Sequence, residues 1–112
     1  MKATIERATL LKSLGHVQSV VERRNTIPIL SNVLIEASEN GAIRLTATDL
    51  DLQIVETIAG DVEIPGATTV SAHTLFEIAR KMPDGSQVQL NAADGRMAVN
   101  AGRARFSLST LP

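Results

Sequence analysis

One order of segments occurs twice along these 112 residues. A short extended run leads into a run with helical spacing, and three extended runs follow. This duplication constrains the fold more than any single motif, because each copy has the same kind of apolar face to bury.

In the first copy, residues 3–7 read as a strand. From Ala8 the spacing becomes helical, with Leu10, Leu11, Leu14, Val17 and Val21 on one stripe. Residues 33–38 and 43–48 read as strands joined by Asn40-Gly41, a dipeptide that tolerates the positive φ of a tight hairpin. A third strand over 52–58 sets Leu52, Ile54, Glu56 and Ile58 against Gln53, Val55 and Thr57. Pro65-Gly66 then marks a turn.

The second copy repeats the order. Residues 68–70 form a strand, and Ser71 is placed to cap a helix over 72–82 with the stripe Leu75, Ile78, Ala79 and Met82. Pro83-Asp84-Gly85 stops that helix. Strands 87–92 and 96–100 flank Asp94-Gly95, and a last strand, 103–108, follows a turn at Gly102. The expectation is an α+β domain of two pseudo-symmetric strand–helix–three-strand units, about 1–64 and 65–112. Lying side by side, these would pack two helices on antiparallel sheets.

Composition narrows the function. There is no cysteine, which excludes disulfides and thiolate metal sites. The formal net charge of −1 argues against a tight, strongly basic grip on nucleic acid. Phe76 and Phe106 are the only aromatic residues, too few for base stacking on single strands. No apolar run reaches the ~20 residues of a membrane span, and the start lacks a secretory signal. A cytoplasmic location without membrane association or cofactor is therefore expected.

Candidate functional residues are few. Neither a phosphate loop, a Gly-x-Ser-x-Gly elbow nor an HExxH occurs. Asp49 and Asp51 read as a polar turn or, in a small hydrolase, as metal-binding carboxylates. His16 reads as a solvated helix residue, without a second ligand at metal spacing. His73, in the first turn of the second helix, either touches a phosphate or does nothing. Arg23-Arg24 lies in the loop 22–30, which has no counterpart in the second copy. The pair is either a solvated surface feature or a phosphate contact, for which planar guanidinium forks are suited. In the last strand, Arg103, Arg105 and Ser107 share one face, and Ala104, Phe106 and Leu108 the other. It is either an ordinary half-buried strand or an unpaired edge that recruits an acidic partner, with Arg96 adding charge.

These segments together resemble the amino-terminal domain of the beta subunit of bacterial DNA polymerase III. The resemblance rests on Met1-Lys2, Ile5-Glu6-Arg7 and Leu10-Leu11-Lys12, then on Thr26-Ile27-Pro28-Ile29-Leu30 and Thr46-Ala47-Thr48-Asp49-Leu50. Its most specific stretches are Pro65-Gly66-Ala67-Thr68-Thr69-Val70 and the run from Gly102 to Pro112. It implies a homodimeric ring of three like domains per subunit that encircles double-stranded DNA without sequence preference. Helices would line the hole, and the ring would confer processivity on the polymerase without an active site of its own. Arg24 falls where the family places an arginine against the DNA backbone. His73 falls where many relatives carry another arginine, and Thr74 where a lysine is common. The last strand falls at the interface with the second beta subunit. Phe106 and Leu108 match its apolar part, and Arg96, Arg103 and Arg105, beside Ser107, its charged rim. Polymerase and clamp loader would bind through later domains, beyond the first domain to which this chain corresponds.

Overall fold

The structure is a computed structural model that describes residues 1–19, 32–48 and 53–110. Val21, the loop 22–30 with Arg23 and Arg24, Asp49, Leu50, Asp51, Leu52, Leu111 and Pro112 lie outside the described residues.

Strand β1 (Lys2–Glu6) runs straight into helix α1 (Arg7–Gln18). Strands β2 (Asn32–Ala37), β3 (Ala42–Thr48), β4 (Gln53–Ala59) and β5 (Asp61–Ile64) follow. Strand β6 (Gly66–Ser71) then passes directly into helix α2 (Ala72–Lys81), ahead of β7 (Gln87–Ala93), β8 (Arg96–Ala101) and β9 (Ala104–Ser109). Among the described residues all strand pairings are antiparallel, in one sheet of order β4-β3-β2-β6 and another of order β5-β1-β7-β8-β9. The expected α+β architecture of two helices on antiparallel sheets is present.

The two units do not lie side by side, however. They exchange their opening strands: Ile5 of β1 sits opposite Val88 of β7, and Val70 of β6 opposite Val33 of β2. Each sheet is one unit's three-strand meander completed by the other unit's first strand. Helix α1 has 12 residues and spans about 18 Å at 1.5 Å per residue. No loop separates it from β1 of the five-stranded sheet. Strand β5 has no counterpart in the second unit and extends the sheet beside β1.

The core shows the duplication more clearly than residue identity does. Ile5, Leu10, Leu14 and Val17 are buried, and at one constant offset along the chain so are Val70, Leu75, Ala79 and Met82. The inward residues of β2 and β3 (Val33, Ile35, Ile43, Leu45, Ala47) correspond in order, at a shorter offset, to the buried Val88, Leu90, Met97, Val99 and Ala101 of β7 and β8. Leu11 is only half-buried, whereas Ser13 takes the inward place that Ile78 holds in α2.

The turn chemistry differs between the two hairpin dipeptides. Asp94 (φ 54°) and Gly95 (φ 78°) are both left-handed and join the paired residues Ala93 and Arg96, as a two-residue type I′ turn requires. At Asn40-Gly41 only the glycine is left-handed, at φ 87°. The Gly41 N–H donates to Ser38 O at 3.0 Å, the Ser38 N–H to Ala42 O at 2.9 Å, and Asn40 Oδ1 accepts from the Ala42 N–H at 3.0 Å. This is a three-residue loop closed by a glycine. At the start of α2, Ser71 Oγ accepts from the Thr74 N–H at 3.3 Å, the expected cap.

The helices pack on each other as well as on the sheets. A Cβ placed on Gly15 in α1 would lie 3.6 Å from Phe76 Cε1 in α2, an ordinary contact. Glycine inside a helix costs about 0.5–1 kcal/mol relative to alanine. Gly15→Ala should therefore raise the unfolding free energy by about that amount in a denaturant titration. A loss of stability would mean that the helix pair has no room for a methyl group. No helix among the described residues is long and apolar enough to cross a membrane.

Candidate nucleic-acid and subunit interface

Two parts of the molecule gather the candidate residues: the outward face of the helix pair and the free edges of the sheets. On α1, Ala8, Lys12 and His16 recur every four residues and are all exposed. The matching stripe on α2 is His73, Glu77 and Lys81, with Arg80 exposed beside it. His73 is half-buried in the first turn of α2, and the adjacent Thr74 is exposed. Arg80 Nη1 pairs with Glu77 Oε1 at 2.9 Å, and its guanidinium lies 5.9 Å from the Phe76 ring centroid. His16 Nδ1 approaches Glu56 Oε1 at 2.8 Å, which links α1 to β4. Arg24, the other candidate for nucleic acid, lies outside the described residues.

Among the described residues strand β9 is an edge strand, paired on one side only, with β8. Register sets its two faces: Phe106 and Leu108 lie opposite Val99 and Met97, while Arg105 and Ser107 lie opposite Asn100 and Ala98. Arg103, Arg105 and Ser107 are exposed. Arg103 is the second residue of the turn before the strand rather than part of it. Arg96 is exposed too, and its Nε donates to Ser107 Oγ at 3.0 Å. Leu108 is only 7% exposed and Phe106 is half-buried against the core. The structure thus gathers Arg96, Arg105 and Ser107 on one face of the edge and turns Leu108 inward.

Arg7 escaped the reading of the sequence. Its Nε and Nη2 donate to the carbonyls of Ala79 (3.2 Å) and Arg80 (3.1 Å) in the last turn of α2, and Nη1 pairs with Asp84 Oδ1 at 2.9 Å. Its backbone N–H donates to Ser86 O at 3.0 Å. One signal was available: a cation in the first turn of a helix opposes the helix dipole, so its favourable partner must lie elsewhere.

Described residues on the outer face of the four-stranded sheet line two depressions. One, of about 300 Å³, is lined by Glu36, Ser38, Ala42, Arg44 and Thr57, and Glu36 is already paired with Arg44 at 2.9 Å. The other, of about 250 Å³, is lined by Asn32, Leu34, Thr46, Thr48 and Thr69. Among the described residues no three His, Asp or Glu side chains gather as a metal site, and Asp49 and Asp51 lie outside those residues.

Comparison with known proteins agrees with the geometry. The chain is 56% identical to the beta sliding clamp of Caulobacter vibrioides, covering 100% of this chain and 30% of that protein. It is 44% identical to the beta sliding clamp of Escherichia coli K12, again over all of this chain and 31% of the relative. A solved structure of Caulobacter crescentus pol III beta superposes with a TM-score of 0.95 at 56% identity, over 100% of this chain and 30% of that one. A Pseudomonas aeruginosa sliding clamp bound to griselimycin gives 0.95 at 42% identity, with the same coverage. The chain thus spans about three-tenths of the length of the relatives it matches. A family model described as DNA polymerase III beta subunit, N-terminal domain, matches residues 1–112, and the chain belongs to that family.

Proposed function

We propose that this chain is the first of three domains of a sliding-clamp subunit, two copies of which close a ring around duplex DNA and confer processivity on a polymerase. The observation that carries this reading is the pair of equivalent free edges. Register equates β4 with β9: Ile54 and Ile58 face Ala47 and Ile43 as Ala104 and Leu108 face Ala101 and Met97. Each of these strands ends its own sheet. A unit with two related edges can be joined at both, and repeated head-to-tail joining generates a closed ring when the rotation per unit fits.

At the β9 edge, the half-buried Phe106 supplies the apolar part of the contact with the second subunit, and Leu108, 7% exposed, holds the strand to the core behind it. Arg96, Arg103, Arg105 and Ser107 supply a polar rim suited to an acidic partner. The helix layer faces the duplex, and Arg24 and His73 touch its backbone. A ring is retained by topology and needs only weak, sequence-blind phosphate contacts, which suits a net charge of −1. The domain does no chemistry of its own and works in the cytoplasm. Polymerase and clamp loader engage the later domains.

Arg24→Ala in the full-length ring should weaken duplex binding equally for all sequences and reduce its salt dependence by about one phosphate's worth. Binding measured across a salt series checks this, and unchanged affinity at low salt would rule Arg24 out as a contact.

A further inference from the structure

The geometry points to Arg7 as a positioning residue for duplex contact, one that fixes the last turn of α2 so that Arg80 and Lys81 keep their place on the DNA-facing helix layer. The inference rests on the ring reading above and adds a residue to it.

The last carbonyls of a helix have no partners inside it, and they carry roughly half a negative charge between them. The Ala79 carbonyl already accepts from the Met82 N–H at 3.2 Å, and what negative charge remains at this end would repel the duplex and let the final turn fray. Arg7 meets both problems from another helix. Its fork spans the carbonyls of Ala79 and Arg80, at 3.2 and 3.1 Å, and reaches Asp84 just past the helix end at 2.9 Å. Its side chain is only 16% exposed, so it is engaged here rather than presented to a ligand. Arg80 and Lys81, which belong to the turn it holds, are both exposed. Arg80 is further oriented by Glu77 at 2.9 Å and by the Phe76 ring. Lysine cannot replace this fork, because an ammonium is a point charge that cannot span two carbonyls and a carboxylate at fixed angles. Asp84 is 97% exposed on its side chain and contributes one weak arm of the arrangement.

A double-mutant cycle in the full-length protein tests the assignment, read as affinity for a labelled duplex at low salt. Thermal melting first establishes that each variant is folded at the assay temperature. Arg7→Ala and the pair Arg80→Ala/Lys81→Ala are each expected to weaken binding roughly three- to tenfold. Combining all three should weaken it no further than the Arg80/Lys81 pair alone, since Arg7 acts through those two residues. Arg7→Lys should lose as much as Arg7→Ala, and Asp84→Ala should bind as the unchanged protein does. Independent, multiplying losses would overturn the inference, as would full affinity in folded Arg7→Lys. A full-length protein with no salt-dependent affinity for duplex would instead remove the ring reading, and this inference with it.

Discussion

Replacing Gly60 by alanine should lower the stability of the domain by about 1–3 kcal/mol, the usual effect of forcing a group into filled space. Gly60 lies between β4 and β5, where the chain leaves one sheet for the other. A Cβ there would come within 2.6 Å of Ile43 Cδ1, 2.9 Å of Thr4 O and 3.2 Å of Ile5 Cγ1. Ile43 could rotate away, but Thr4 O belongs to the backbone of β1, which is held on both sides by β5 and β7. The Gly60 N–H also donates to Gly41 O at 3.0 Å, which pins the corner to the first hairpin. The Thr4 wall cannot yield without disturbing a sheet. Each kcal/mol should appear as a fall of about 4–8 °C in the melting midpoint of a domain of this size. An unchanged midpoint would mean that the corner between the sheets is looser than its packing indicates.

Reversing the charges at the β9 edge should have its effect on assembly instead. Arg103→Glu with Arg105→Glu in the full-length subunit is expected to convert dimers into monomers. Both side chains are exposed, so the domain itself should keep its stability to within about 0.5 kcal/mol. Like charges brought together across an interface cost several kcal/mol, and each 1.4 kcal/mol is tenfold in affinity. The dimer dissociation constant should rise roughly a hundredfold or more. Sedimentation at micromolar concentration reads this directly, and persistent dimers would show that the edge contact does not depend on these arginines. Changing Phe106 and Leu108 to polar residues is the less informative choice. Leu108 is 7% exposed and belongs to the core, so its loss would unfold the strand whether or not the strand meets a partner.

Local features were legible in the sequence because their causes are local. The stripe Leu75, Ile78, Ala79 and Met82, the Ser71 cap and the left-handed Asp94-Gly95 turn depend on neighbours a few residues away. The edge position of β9 was legible too, as the end of the last meander. Partner choice was not. Nothing in Ala3-Thr4-Ile5 says that Ile5 will lie opposite Val88 rather than beside its own unit's strands, because that pairing joins residues far apart in the chain. Strand β5 was missed for the same reason: Asp61–Ile64 is short, and its pairing with β1 makes it a strand. Arg7 was missed because its partners lie more than 70 residues away. Arg24, singled out in the sequence with Arg23 and given a DNA-backbone role by resemblance, lies outside the described residues and draws no support from the fold.

If the protein works by surrounding its template, topology rather than affinity must hold it there. A full-length subunit assembled on circular duplex DNA should stay bound through gel filtration at moderate salt. A single double-strand cut should release it. Equal retention on the circle and on the cut molecule would mean that the protein grips DNA without enclosing it.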